Sequence, residues 1–81
     1  MHVDVLLFGP QAELAEADRV TVELPDRATA AAAIRALGES VPALSPTLAA
    51  SRLAVNHEYA NDDQEVRPDD EVALIGMVSG G

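Results

Sequence analysis

The chain has 81 residues, 48% of them apolar, with 5 Arg and no Lys against 14 Asp plus Glu, for a net charge of −9. A field of that sign repels nucleic-acid phosphates and anionic membrane surfaces, and it suits a basic protein partner or plain solubility. The absence of Cys excludes a disulfide framework, a thiolate nucleophile and a Cys-ligated metal.

Eighty-one residues make one small domain with little surface to bury, and one Phe, one Tyr and no Trp imply a closely packed aliphatic core. No apolar run reaches the length of a membrane span, and the start MHVDVLLFGP lacks the basic flank and long apolar stretch of a signal peptide. The expectation is a cytoplasmic protein.

HVDVLLF (2–8) is rich in β-branched and large apolar residues and stops at Gly9-Pro10, which predicts a strand buried on both faces. QAELAEAD (11–18) predicts a turn or a single helical turn. RVTVELP (19–25) alternates, with Val20, Val22 and Leu24 on one side and Arg19, Thr21 and Glu23 on the other; this is a half-buried strand, hairpinned to the first. Thr29 caps a helix whose stripe is Ala30, Ala33, Ile34 and Leu37, running over about 30–38 or two residues further. Residues 39–50, with Pro42, Ser45 and Pro46, read as an irregular crossing with one turn near 47–50. RLAVN (52–56) is a strand, HEYAND (57–62) turns it with a short strand at Tyr59-Ala60, and DDQEVRPDD (62–70) is a polar loop anchored by Val66. EVALIG (71–76) is the last strand, alternating Val72 and Leu74 against Ala73 and Ile75.

The order β-β-α-β-β predicts an α+β fold: a mixed sheet of 4–5 strands with one main helix on one face. The first and last strands are the most apolar, so they belong adjacent at the centre, and they run parallel because the helix crossover lies between them. That is the β-grasp arrangement. It divides the chain into a domain at 1–75 and a flexible tail at 76–81.

Candidate chemistry is sparse. The acids of DDQE and DDE lack the alternation and central Gly of a calcium loop, and His2 and His57 have no partner at ligand spacing, so no metal site is expected. No Gly-rich loop joins a strand to a helix, so no nucleotide site is expected either. Ser79 has no base to activate it. Glu58 and Tyr59, an acid and a phenol in one turn, read as local hydrogen bonding rather than proton chemistry. What remains is VALIGMVSGG (72–81), a core strand that runs into two terminal glycines. Terminal Gly stabilises nothing, but it lets backbone pass a narrow channel without a side-chain clash. A terminal carboxylate threaded into a partner's site could be adenylated and then captured by sulfur or by an amine.

The stretch LAVNHEYANDDQEVRPDDEVALIGMVSGG (53–81) resembles the small, sulfur-carrier subunit family of molybdopterin synthase. The likeness lies in Val55-Asn56, Glu58-Tyr59, the Asp69-Asp70-Glu71-Val72-Ala73 run and the closing Val78-Ser79-Gly80-Gly81; LLFGPQAEL (6–14) resembles that family's first strand and turn. The resemblance implies a chain that is not catalytic alone. An E1-like adenylating enzyme uses ATP to activate the carboxylate of Gly81, and a sulfur donor protein converts it to a thiocarboxylate. The tail Gly76, Met77, Val78, Ser79 and Gly80 then enters the large synthase subunit, within a heterotetramer, where sulfur passes to cyclic pyranopterin monophosphate. The chain itself would bind no cofactor. It departs from the family where two prolines are usual and Gly76-Met77 stand, and where Ala12 replaces an Arg before Glu13. Alternative readings are a carrier for tRNA thiolation, thiamine or cysteine; a modifier conjugated to lysines of other proteins; and a small domain with an accidental tail.

Overall fold

The computed structural model describes residues 1–76. Their elements are β1 (His2–Leu6), α1 (Gly9–Ala15), β2 (Arg19–Glu23), α2 (Ala30–Ser40), a 3-10 turn (Pro42–Leu44), α3 (Ser45–Leu48), β3 (Ser51–Val55), β4 (Glu58–Tyr59) and β5 (Val72–Gly76). The sheet order is β2-β1-β5-β3-β4. β1 and β5 are neighbours inside the sheet and run parallel, with Val5 opposite Val72 and Leu6 opposite Ala73. β1–β2, β5–β3 and β3–β4 are antiparallel. This is the expected mixed-sheet β-grasp fold. No helix among the described residues is long and apolar enough to cross a membrane.

The main helix begins where its sequence says. Thr29 is extended, and its Oγ1 accepts a hydrogen bond from the Ala32 N–H at 3.3 Å. The polar loop after β4 supplies what one side chain cannot. Carbonyls of Gln64 and Asp62 accept from the N–H groups of Ala30 and Ala31, and Val66 N–H donates to Ala28 O. Helix donors left without an intrahelical partner are thus satisfied by the loop. Val66, driven inward by the same strap, is buried. At the far end Val41 N–H closes on Leu37 O, and Pro42 prevents continuation. Gly38 inside α2 answers to a close approach: a Cβ there would sit 2.9 Å from the Leu48 side chain, so glycine lets α3 pack on α2.

The core is aliphatic. Val3, Val5, Val22, Leu37, Leu44, Leu53, Val66, Val72 and Leu74 are its large buried side chains. All helices lie over one sheet face, so strands bury alternate residues only. β1 is therefore not covered on both sides as its sequence implied: Val3, Val5 and Leu7 are buried, whereas His2 and Asp4 are exposed and Leu6 is half-buried. The run also stops being strand at Leu6 rather than at Phe8.

Residues 9–15 form a seven-residue helix rather than a turn. Pro10 suits a first helical turn. Glu16, left-handed at φ 55°, ends the helix with backbone N–H groups turned back onto Glu13 O and Ala12 O. The crossing at 42–48 is likewise helical, a 3-10 turn running into α3, which lies two residues earlier than the turn expected near 47–50.

β3 and β4 are joined by two residues, Asn56 (φ 53°) and His57 (φ 71°), both left-handed as a tight hairpin requires. The short strand is Glu58–Tyr59, one residue earlier than the expected Tyr59-Ala60. Asn56 does more than turn the chain. Its N–H donates to Glu71 O, its Oδ1 accepts from Glu71 N–H at 2.9 Å, and its Nδ2 donates to Asp70 Oδ1 at 3.0 Å. Asp70 Oδ2 in turn accepts from Arg67 N–H. These bonds fasten the start of β5 to the end of β3.

Two stability outcomes follow. Leu37→Ala empties a fully buried position and is expected to cost about 2–5 kcal/mol in denaturant unfolding. Asn56→Ala combines a left-handed backbone without Asn with the loss of two side-chain hydrogen bonds, and is expected to cost about 1–3 kcal/mol. Asn56→Gly, which relieves the backbone, should recover part of that.

Candidate functional site

β5 is the strand that carries the chain to its end. It starts at the Asn56–Asp70 lock, crosses the sheet between β1 and β3, and finishes at Gly76 opposite Ser51. Gly76, assigned from sequence to the head of the tail, is the last residue of this strand. Met77, Val78, Ser79, Gly80 and Gly81 lie outside the described residues.

Around Gly76 the structure assembles side chains that the sequence did not single out. Gln11, on α1, is the buried polar side chain of the described core. Its Nε2 donates to Thr47 Oγ1 at 3.1 Å and to Ser51 Oγ at 2.8 Å. Its carboxamide lies against Gly76, where an added Cβ would meet Oε1 at 3.4 Å. The amide thus ties α1, α3 and β3 together where β5 ends. A groove of about 500 Å³ opens there, between Phe8, Pro10, Ala50, Leu74 and Ile75.

The second feature is the sheet face that the helices leave uncovered. Leu6, Phe8, Ala54, Tyr59, Ala73 and Ile75, together with His57 and Glu71, line a shallow concavity of about 380 Å³ on it. Phe8 and Tyr59, the chain's two aromatic residues, are 56% and 53% exposed. The Arg52 guanidinium stacks over the Tyr59 ring at 5.0 Å from its centroid. Exposed apolar side chains with an Arg nearby and the His57–Glu71 pair among them make this face a candidate contact surface. The signal in the sequence was the position of Leu6 and Phe8 in the first strand and of Tyr59 in the last hairpin; periodicity alone could not show which face was open.

Among the described residues, catalytic groups do not converge. Glu58 and Tyr59 are neighbours on an edge strand, and Tyr59 is engaged by Arg52. His57 Nε2 is 2.8 Å from Glu71 Oε2 in a pair open to solvent. Arg19 and Asp4 form the other ion pair among the described residues, at 3.8 Å. No three His, Asp or Glu side chains of the described residues gather as a metal site. What the arrangement can do is hold a docking face and deliver a strand end beside it.

Comparison with known proteins shows the family. Residues 5–81 match the model of the ThiS family. The chain is 41% identical over 80 residues to the molybdopterin synthase sulfur carrier subunit of Dictyostelium discoideum, covering 95% of this chain and 93% of that one. It is 32% identical to the molybdopterin synthase sulfur carrier subunit of Arabidopsis thaliana over 81 residues, 100% of this chain and 84% of that one. Among solved structures it is similar to the small archaeal modifier protein 1 of Haloferax volcanii, with a TM-score of 0.83 and 29% identity over 95% of this chain and 98% of that one.

If the open face serves docking rather than stability, removing its aromatic ring should leave the fold intact. Phe8→Ser is expected to change unfolding free energy by no more than about 0.5 kcal/mol, measured by chemical denaturation.

Proposed function

The chain belongs to the ThiS family, and on that premise we propose that it is the sulfur carrier of molybdenum cofactor biosynthesis, the small subunit of a molybdopterin synthase. The observation that carries this reading is the pairing of close relatives of that name with a central strand, β5, that leads directly into a chain end of Gly80-Gly81. The carrier contributes no catalytic side chain. It contributes an activatable carboxylate on glycine, whose lack of a side chain lets it pass a narrow channel.

The chemistry runs through three partners. In an E1-like adenylating enzyme, a carboxylate oxygen of Gly81 attacks the α-phosphorus of ATP and pyrophosphate leaves. The outer sulfur of a donor-protein persulfide attacks the acyl carbon and AMP leaves, giving an acyl disulfide. A second thiol then attacks the donor's own sulfur, a disulfide forms between those two thiols, and Gly81 is released as the thiocarboxylate. In the large synthase subunit the thiocarboxylate sulfur bonds to a carbon of cyclic pyranopterin monophosphate. Water cleaves the acyl–sulfur bond and returns the Gly81 carboxylate, and two carriers in turn supply the two sulfurs of the dithiolene. The carrier is proposed to act in the cytoplasm.

The body's role is docking. The open face built from Leu6, Phe8, Tyr59, Ala73 and Ile75 is the contact surface, so the partner holds the sheet while residues 76–81 reach the reacting centre. The surplus of acids supplies long-range attraction to basic partner surfaces. A second reading, conjugation of Gly81 to lysines of other proteins, is favoured by the likeness to a small archaeal modifier protein. An isopeptide bond between Gly81 and a lysine would identify it.

Deleting Gly81 tests the carrier reading. The shortened chain should unfold at the same denaturant concentration as the intact one and give no sulfur transfer to the pterin; an active truncation would falsify the proposal. Reversing Asp62, Asp63 and Asp69 to lysine should lower the association rate with the large subunit by about ten-fold at low salt, with a smaller effect on dissociation. Association rates that stay the same would remove the acids from the account.

A further inference from the structure

The groove beside Gly76 differs from the open sheet face in one respect: the amide of a largely buried Gln11 lies at its wall. The oxygen's position follows from the hydrogen bonds around it. Thr47 Oγ1 has given its proton to Leu44 O at 2.7 Å, and Ser51 Oγ has given its own to Thr47 O at 2.8 Å. Both hydroxyls can therefore only accept from Gln11, and the two amide protons of Gln11 satisfy them. The carboxamide cannot turn over without setting oxygen against oxygen. Its nitrogen is fixed toward α3 and β3, and Oε1 is fixed toward Gly76.

Among the described residues nothing donates to Oε1, although Gln11 is only 6% exposed. Gln11 is itself one of the residues that line the groove, and Oε1 is the atom of its amide nearest Gly76. The site is thus an acceptor set among apolar walls, with no charged residue lining it. An apolar occupant would bury the oxygen unpaired, at a cost. A carboxylate would meet a lone pair and a chain of net charge −9.

We infer that this groove receives an arginine side chain of the large synthase subunit, with the guanidinium bonded to Gln11 Oε1. Arginine meets each requirement on the page. It is a donor only, its charge complements the acidic chain, and it is weakly hydrated enough to enter a half-open groove. Its aliphatic stem packs on apolar walls such as Pro10 and Leu74, and its planar head can lie against the Phe8 ring. The groove is continuous with the open sheet face through Phe8 and Ile75, which line both, so one partner covers the two together. An arginine seated there fixes the partner's position at the root of the sulfur-bearing segment, which the sheet face alone does not do. This inference rests on the carrier reading above.

The test is a double-mutant cycle between the full chain and the purified large subunit of the same organism, read by titration calorimetry. Gln11→Met keeps the side chain's length and removes the acceptor. It is expected to weaken binding about ten-fold or more, the effect of losing a hydrogen bond to a charged group. One Arg→Met variant of the large subunit should lose as much against the wild-type chain and lose nothing further against Gln11→Met. Undiminished affinity of a folded Gln11→Met chain overturns the inference. So does an arginine scan in which every loss adds to that of Gln11→Met, because the amide then acts only on packing. Should Gln11→Met fail to fold, the scan against the wild-type chain decides, and a scan without a ten-fold loss at any arginine rejects the proposal. A wild-type chain that does not bind the large subunit at all overturns the carrier reading and this inference with it.

Discussion

The parallel pairing of β1 with β5, Val5 beside Val72 and Leu6 beside Ala73, is the constraint on which the rest of the molecule depends. Parallel neighbours cannot be joined by a hairpin; the chain between them must cross over a face of the sheet. Here the chain between them contains α1, β2, α2, the 3-10 turn, α3, β3, β4 and the polar loop, with side chains of α1, α2, the 3-10 turn and α3 packed on the one core. Two consequences follow together. The last strand is held inside the sheet rather than at its rim, and the opposite face is left with apolar side chains and no cover.

The final strand is accordingly braced at both ends. Asn56, through Asp70 and Glu71, fixes where β5 begins. Gln11, through Thr47 and Ser51, packs where it finishes. Between them the strand buries Val72 and Leu74 in the core and turns Ala73 and Ile75 to the open face. A carrier needs a rigid body that a partner can grip and a chain end that leaves that body from a defined point. A brace at each end of one central strand provides both without any catalytic group.

Much of this could be read from the chain in advance where the period was local. The alternation of Val20, Val22 and Leu24, the Ala30–Leu37 stripe with its Thr29 cap, and the alternation of β5 each specify an element by themselves. Two readings failed for physical reasons. α1 carries no apolar stripe long enough to announce a helix; its buried polar residue is satisfied by Thr47 and Ser51, more than thirty positions away. The first strand looked covered on both faces because Leu6 and Phe8 are apolar, yet they face outward. A side chain kept apolar for a partner is indistinguishable, in one sequence, from one kept apolar for the core. Of the positions that carried the family resemblance, Asn56 and Asp70-Glu71 are structural locks, whereas Leu6, Phe8, Gln11, Tyr59 and Ala73 line the open face or the groove, a grouping that appeared only once the strands were placed.

The central claim is that Gly81 is the atom-bearing end of a sulfur carrier. It is tested most directly by the intact mass and C-terminal peptide sequence of the protein isolated from its native cells, and again after incubation with the cells' E1-like adenylating enzyme, ATP and a sulfur donor. The account predicts replacement of one carboxylate oxygen of Gly81 by sulfur. A carboxylate that stays unchanged throughout, or a Gly81 found only in isopeptide linkage to lysine, would contradict it.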